Sequence, residues 1–346
     1  MRDDPITVLI ADDSKLVRRV IRTHLQTDTR IKVVGEATNG REAVDLAVAH
    51  TPRVITMDLD MPEMGGIQAI EQIMASAPTR ILVVTDLPKY AGADGTFECI
   101  SRGALEVVLK PSAMGGGVSL IDRIVELSTV PVVPHFSARA AARRRRRQAS
   151  TLIGAPSVVV VGSSTGGPGA LARMLERLDT INFPLVVVQH LSEPFVEAFV
   201  EWLRTRTKLP VEEGTGGTLR PGTVYVVARG AHMRVTSRNH DLFLAESSEP
   251  ARSGHIPAID VLFESAAEAS GPRAVGVLLT GMGRDGANGL LKIRQAGGHT
   301  IAQDEESCAV YGMPKAAVEL GAVGSQLEPA EIANELDKIS RGAQES

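Results

Sequence analysis

Short apolar runs alternate with amphipathic stretches along most of the chain. In the first third, Val8-Leu9-Ile10, Ile31 to Gly35, Val54-Ile55-Thr56-Met57, Arg80 to Val84 and Leu105 to Leu109 read as strands. Lys15 to Gln26, Glu42 to Ala49, Gly66 to Ala75, Thr96 to Arg102 and Val118 to Leu127 read as helices. Ser14 suits the N-cap of the first helix, which keeps Leu16, Val20, Ile21 and Leu25 near one face. Five strand–helix repeats, (βα)5, predict a parallel doubly wound sheet with right-handed crossovers. The pattern resumes with strands at Val158 to Val161, Leu185 to Val188, Val224 to Val227, Ala274 to Leu279 and Thr300-Ile301-Ala302. Helical segments follow at Ala170 to Leu178, Val196 to Arg206, Ile259 to Ala269, Asn288 to Gln295 and Pro314 to Leu320, and Val235 to Ala245 suits a hairpin. The fold class expected is α/β, with two doubly wound domains, the second mostly parallel. Pro131, Pro134 and the run Arg143 to Arg147 mark a break. We therefore expect domains at 1–127 and 156–346, joined by a Pro/Arg-rich linker at 128–155.

Composition narrows the function classes. A chain of 346 residues is long enough for two domains that each bury a core. Aromatics make up only 3%, which suits parallel sheets with tightly packed helices. A net charge of -4 gives no field that attracts nucleic acid. The arginine run reads as a solvated block of like charge, or else as a docking patch for an acidic partner or a nucleic acid; the lack of interleaved aromatics and of a helix-turn-helix pattern speaks against base readout. Cys99 and Cys308 lie in different halves without metal-ligand spacing, so a reducing, cytoplasmic setting is expected. The charged start, Met1 to Pro5, does not read as a signal peptide, and no apolar run is long enough for membrane insertion.

In a doubly wound sheet, functional groups collect beyond the carboxyl ends of the strands. In the first domain those ends hold Asp12 and Asp13, Asp58, Thr85 and Lys110. Carboxylates placed together raise one another's pKa unless they share a hard cation such as Mg²⁺. A nearby lysine and hydroxyl suit an oxyanion, most simply a phosphoryl on Asp58. Val8-Leu9-Ile10-Ala11-Asp12-Asp13-Ser14, Met57-Asp58-Leu59-Asp60-Met61-Pro62 and Lys110-Pro111 give this domain a resemblance to the response-regulator receiver family over its whole length. The resemblance implies that Asp58 accepts a phosphoryl group from a histidine kinase. It also implies that Asp13, Asp58 and the backbone of Asp60 hold Mg²⁺ with Asp12 in support, and that Thr85 and Lys110 contact the phosphoryl. Two departures stand out. Gly65 occupies a position where the family often has Asp, and Val107 one where an aromatic switch residue is common.

In the second domain the stretch Gly162-Ser163-Ser164-Thr165-Gly166-Gly167 links a strand to a helix. It fits both the nucleophile elbow, G-x-S-x-G, and a phosphate cradle at a helix start. No lysine follows the glycines and G-x-G-x-x-G is not met, which disfavours the cradle. His190 ends the next strand, and Asp285 follows a third within Thr280-Gly281-Met282-Gly283-Arg284-Asp285-Gly286. Parallel strands would bring the three to one sheet edge as nucleophile, base and orienting carboxylate. Rivals exist: Ser163 and Thr165 flank Ser164, His232, His255 and His299 are other bases, and Asp260 and Asp304 other carboxylates. Asp285 could also be no more than the cap of the helix at Asn288. The N–H of Thr165 is a natural oxyanion donor, with a second near Met282.

These motifs, with Gln189-His190 and Gln303-Asp304-Glu305…Tyr311-Gly312-Met313-Pro314, make the domain similar to the chemotaxis protein-glutamate methylesterase family, CheB. The resemblance implies the triad Ser164, His190 and Asp285, with Thr165 and Met282 beside the ester. It implies a phosphorylation-activated serine hydrolase acting on glutamate methyl esters of chemoreceptors, and in some members on glutamine side chains. No cofactor is expected for the ester reaction, and the chain is expected to be a monomer. Ala228-Arg229-Gly230 stands where Ala-Pro-Gly is common, His255-Ile256-Pro257-Ala258 where Arg-Pro-Ser is more usual, and Leu191-Ser192 where Met-Pro is frequent.

Overall fold

The computed structural model describes residues 4–86, 96–110, 120–130, 156–228, 230–239, 241–252 and 254–342. The arginine run, Pro131, Pro134, Pro111 and Arg229 lie outside the described residues. The chain divides into two compact units, Met1–Ala141 and Ala142–Ser346.

The first unit runs β1 (Ile6–Ala11), α1 (Lys15–Leu25), β2 (Ile31–Ala37), α2 (Gly40–His50), β3 (Val54–Met57), α3 (Gly66–Ser76), β4 (Arg80–Thr85), α4 (Glu98–Ser101), β5 (Glu106–Leu109) and α5 (Leu120–Ser128). Its sheet has the order β2-β1-β3-β4-β5, and every neighbouring pair is parallel. The order reverses at β1, so a crevice opens between the ends of β1 and β3. Asp12 and Asp13 leave one of those ends and Asp58 the other. The Ser14 hydroxyl caps α1 by accepting from the Val17 N–H at 3.4 Å. The buried face of α1 differs from the one expected. Arg18, Ile21 and Leu25 face inward, while Leu16 is 72% exposed and Val20 lies toward solvent. The spacing 18, 21, 25 holds one stripe, and Leu16 and Val20 fall off it.

The second unit continues with β6 (Val158–Ser163), α6 (Gly167–Leu175), β7 (Leu185–Gln189), α7 (Val196–Arg206), β8 (Val211–Glu213), β9 (Gly217–Thr218) and β10 (Val224–Val227). Then come β11 (His232–Arg238), β12 (Asp241–Ser247), α8 (Ile259–Ser270), β13 (Ala274–Leu278), α9 (Ala287–Gln295), β14 (His299–Gln303), α10 (Met313–Glu319), β15 (Ser325–Leu327) and α11 (Pro329–Gly342). Seven strands form one sheet in the order β15-β14-β13-β6-β7-β10-β8, all neighbours parallel. Every residue of β6 is buried, as a strand covered on both faces requires. β11 and β12 form the expected hairpin, with β9 beside them. The strand order reverses at β6, placing the ends of β13, β6 and β7 side by side. Those ends lead directly into Asp285, Ser164 and His190.

Candidate active site and phosphorylation site

Ser164 stands in the turn between β6 and α6. Its N–H donates to the Thr280 carbonyl at 3.1 Å, tying the turn to the loop after β13. Gly166 enters α6 in a left-handed conformation, φ 74°, which a side chain would strain. A Cβ on Gly167 would lie 2.4 Å from the Gln189 side chain, so only glycine permits this approach.

His190 leaves β7 with its N–H donating to the Ser163 carbonyl at 3.0 Å. Its Nε2 lies 2.9 Å from Asp285 Oδ2. A carboxylate only accepts, so Nε2 carries the hydrogen and Nδ1 holds the lone pair. Nδ1 is buried and has no hydrogen-bond partner among the described residues. Among those residues the Ser164 hydroxyl likewise makes no hydrogen bond, to His190 or to another group. The ring is thus turned the opposite way from the familiar protease triad, where Nδ1 meets the aspartate.

Asp285 is buried and fully engaged. Besides His190, its Oδ2 accepts from the Ile259 N–H at 2.8 Å and its Oδ1 from the Asp260 N–H at 3.0 Å. These are the first N–H groups of α8, so Asp285 caps α8 and not the helix that follows it. That following helix, α9, takes its acceptor from α8 in return: Asp260 Oδ1 accepts from the Gly289 N–H at 2.7 Å. Burial pushes the Asp285 carboxyl up. The hydrogen bond and electrostatic pull of the His190 ring, with the two N–H donors, outweigh it and hold the group below the ordinary carboxylate range. Thr165 is buried before α6, and its carbonyl accepts from the Thr280 hydroxyl at 3.1 Å. Met282 is half-buried in the loop after β13, packed against Gly312.

In the first unit, Asp12, Asp13 and Asp58 bring carboxylate oxygens within 4.8 Å of one another. Lys110 Nζ lies 2.8 Å from Asp58 Oδ2 and 3.0 Å from Asp12 Oδ2. Asp58 Oδ1 accepts from the Leu59 N–H at 2.8 Å. Burial pushes the Asp58 carboxyl above its ordinary value and the Asp12 charge adds to this, against the pull of Lys110. Burial would lower the Lys110 ammonium, but Asp58 and Asp12 raise it further, so it stays charged. Thr85 ends β4, buried, with its carbonyl accepting from the Lys110 N–H at 2.8 Å. Asp60 is exposed beside the cluster, and its carboxylate is not part of it. A Cβ on Gly66 would lie 2.0 Å from the Asp58 carbonyl, so glycine is required where α3 abuts this loop. Val107 is buried in β5 opposite Val83.

The family model for the CheB methylesterase matches residues 159–336, and that for the response regulator receiver domain matches residues 8–140. The chain belongs to the CheB methylesterase family. A protein-glutamate methylesterase/protein-glutamine glutaminase of Agrobacterium fabrum is 38% identical over 345 residues, 98% of this chain and 97% of that protein. Another, from Anaeromyxobacter dehalogenans, is 40% identical over 346 residues, 97% of this chain and 95% of that one. The crystal structure of the Thermotoga maritima CheB methylesterase catalytic domain, 33% identical, covers 53% of this chain and 98% of its own, with a TM-score of 0.51. Among the described residues no helix is long and apolar enough to cross a membrane.

Within this CheB-type site, several supporting residues escaped the sequence reading. The Gln189 amide donates to the carbonyls of Ser164, at 3.0 Å, and His190, at 2.9 Å, while its oxygen accepts from the Ser163 hydroxyl at 2.6 Å. One buried side chain therefore ties both strand ends together. It also removes Ser163 as a rival nucleophile, since that hydroxyl is buried and donated. Gln303 does the same for the third loop, accepting from the Thr280 N–H at 2.8 Å. His232, a rival base, is buried with Nδ1 accepting from the Ala258 N–H at 3.0 Å and Nε2 3.1 Å from the Pro250 carbonyl. The adjacency of Gln189 to His190 and of Gln303 to Asp304 was visible, but which way the amides point is set by packing.

Proposed function

We propose that the chain is a phosphorylation-activated protein-glutamate methylesterase acting on chemoreceptors, with Ser164 as nucleophile. The observation that carries this reading is the buried His190–Asp285 bond at 2.9 Å, which leaves Nδ1 as the base beside the strand end bearing Ser164. Ser164 Oγ attacks the carbonyl carbon of a glutamate γ-methyl ester while its proton passes to His190 Nδ1. Asp285 keeps the hydrogen on Nε2 and offsets the charge on the imidazolium. The Thr165 N–H, at the entry to α6, is assigned to the developing oxyanion, with Met282 bordering the ester. One such donor contributes about 3 kcal/mol to the transition state. Collapse breaks the bond to methoxide, which takes the proton from Nδ1 and leaves as methanol. Water then gives its proton to Nδ1, attacks the acyl-enzyme and yields carboxylate and free Ser164. The same steps on a glutamine side chain release ammonia.

The receiver supplies control. Asp58 is assigned as the acceptor of a phosphoryl group from a histidine kinase. The all-oxygen set of Asp12, Asp13 and Asp58, with the backbone of Asp60 assigned as a further ligand, would hold Mg²⁺, which when bound would offset charge on the transferred group. Lys110 and Thr85 are assigned to the phosphoryl oxygens once it is bound. Methanol release from a methylated receptor tests both levels. It should rise with a small phosphodonor and Mg²⁺, and fall at least 10³-fold in Ser164→Ala, whose circular dichroism spectrum should match that of the wild type. Undiminished release from Ser164→Ala would exclude the assignment.

A further inference from the structure

The half-buried ring of His255 stacks on His190, centroids 3.9 Å apart and planes 9° from parallel. We propose that His255 is a positioning residue: stacked face to face, it fixes the plane of the His190 ring and with it the direction of Nδ1. This rests on the reading of His190 as the base.

The need follows from the geometry of His190. Among the described residues its side chain has one hydrogen bond, through Nε2 to Asp285. A ring held by one hydrogen bond can tilt about it, and a tilt swings Nδ1 through an arc at little cost to the Asp285 contact. A parallel ring against its face removes that freedom, because tilting forces the two rings into overlap. Proton transfer falls off steeply with such misplacement, by about 10²-fold for 1 Å.

The chain also builds a rigid seat for His255. His255 and Arg252 exchange two backbone hydrogen bonds, at 3.0 and 3.2 Å. The Arg252 guanidinium is anchored to Glu264 of α8 at 2.5 Å. The imidazole of buried His232 binds segment 250–258 at both ends, through the Pro250 carbonyl and the Ala258 N–H. The same helix, α8, is capped by Asp285. One element thus references both the carboxylate below His190 and the segment that carries the ring on its face.

The test uses the full chain with phosphodonor, Mg²⁺ and a peptide carrying a glutamate γ-methyl ester, following methanol. His255→Ala should lower kcat about 10-fold or more, with KM within about twofold. His255→Phe keeps a flat ring without ring nitrogens and should recover most of the lost kcat, while His255→Gln should not. Recovery by Gln but not Phe would overturn the proposal in favour of a hydrogen-bonding role, and so would a loss confined to KM. His190→Gln separates the two levels of the claim. If it retains activity, the base assignment fails; if it is inactive while His255→Ala behaves as wild type, only the positioning role fails.

Discussion

Asp58 and Asp285 invite comparison. Both are about 2% exposed, both follow a buried parallel strand, and both stand near the point where a sheet's strand order reverses. Their charges are handled in opposite ways. Asp285 meets two helix N–H groups and an imidazole, and its carboxyl lies below the ordinary range. Asp58 meets one backbone N–H and one ammonium shared with Asp12, and burial leaves its carboxyl above that range. A strand end makes a site in either unit; the neighbours decide whether the carboxylate is at rest or under electrostatic load. The loaded one suits a group that must take up a cation and a phosphoryl. The satisfied one suits a group that must stay ionised and still through every turnover.

The largest effect expected from this contrast is on Asp285. In Asp285→Asn the amide can satisfy only part of the donor set that now meets the carboxylate. Either its NH₂ faces an N–H of α8, or it faces His190 and forces the hydrogen onto Nδ1, the nitrogen required as base. Loss of kcat by about 10³- to 10⁴-fold should follow from the wrong tautomer. Stability of the second unit should fall by about 2 kcal/mol from the unpaired donors, read by urea unfolding. Wild-type kcat in this variant would break the comparison at its satisfied end.

A smaller effect concerns acid. The folded pKa of Asp285 lies below its unfolded value, so its contribution is complete above the unfolded carboxylate range. It is lost as pH falls through the depressed folded value. Unfolding of the second unit, followed from neutral pH downward, should show this loss in wild type. Asp285→Asn should be less stable at neutral pH and approach wild type as the pH falls. A gap between the two that stays constant with pH would mean that the carboxylate's charge is not what α8 and His190 bind.

The parts of both sites that were legible in sequence share a cause. Runs such as Val158 to Val161 and Val54 to Met57 announce buried strands, and the residue just beyond each run is placed by topology. Ser164, His190, Asp285, Asp12, Asp13 and Asp58 were singled out that way, and the structure sets each at or beyond a strand end. Side-chain direction was not legible. That Asp285 caps α8 while Asp260 caps α9 depends on the first turns of the two helices packing together, and neither partner is near in sequence. The stack of His255 on His190 joins residues 65 apart by their ring faces. The edge strands β8 and β15, three residues each, are too short to carry a pattern. Helix α11 was passed over although Ile332, Ala333 and Leu336 are buried, because glutamates and alanines dilute its stripe.

The smallest effect expected is the reverse of the first in sign. Replacing the loaded aspartate, Asp58→Asn, removes a charge that burial and Asp12 disfavour, while Lys110 keeps Asp12 as a partner at 3.0 Å. The Leu59 N–H keeps an acceptor in the amide oxygen. The first unit should therefore gain about 1 kcal/mol, a rise of roughly 4 °C in its unfolding midpoint, measured with divalent cations chelated. The same variant should lose stimulation by a phosphodonor while its unstimulated ester hydrolysis stays at the wild-type level. Added Mg²⁺ should narrow the stability gap, because the cation stabilises only the wild-type carboxylate set. Destabilisation by Asp58→Asn would show that Lys110 already discharges the cluster. Asp58 would then be as settled as Asp285, and the difference between the two sites would lie in chemistry alone.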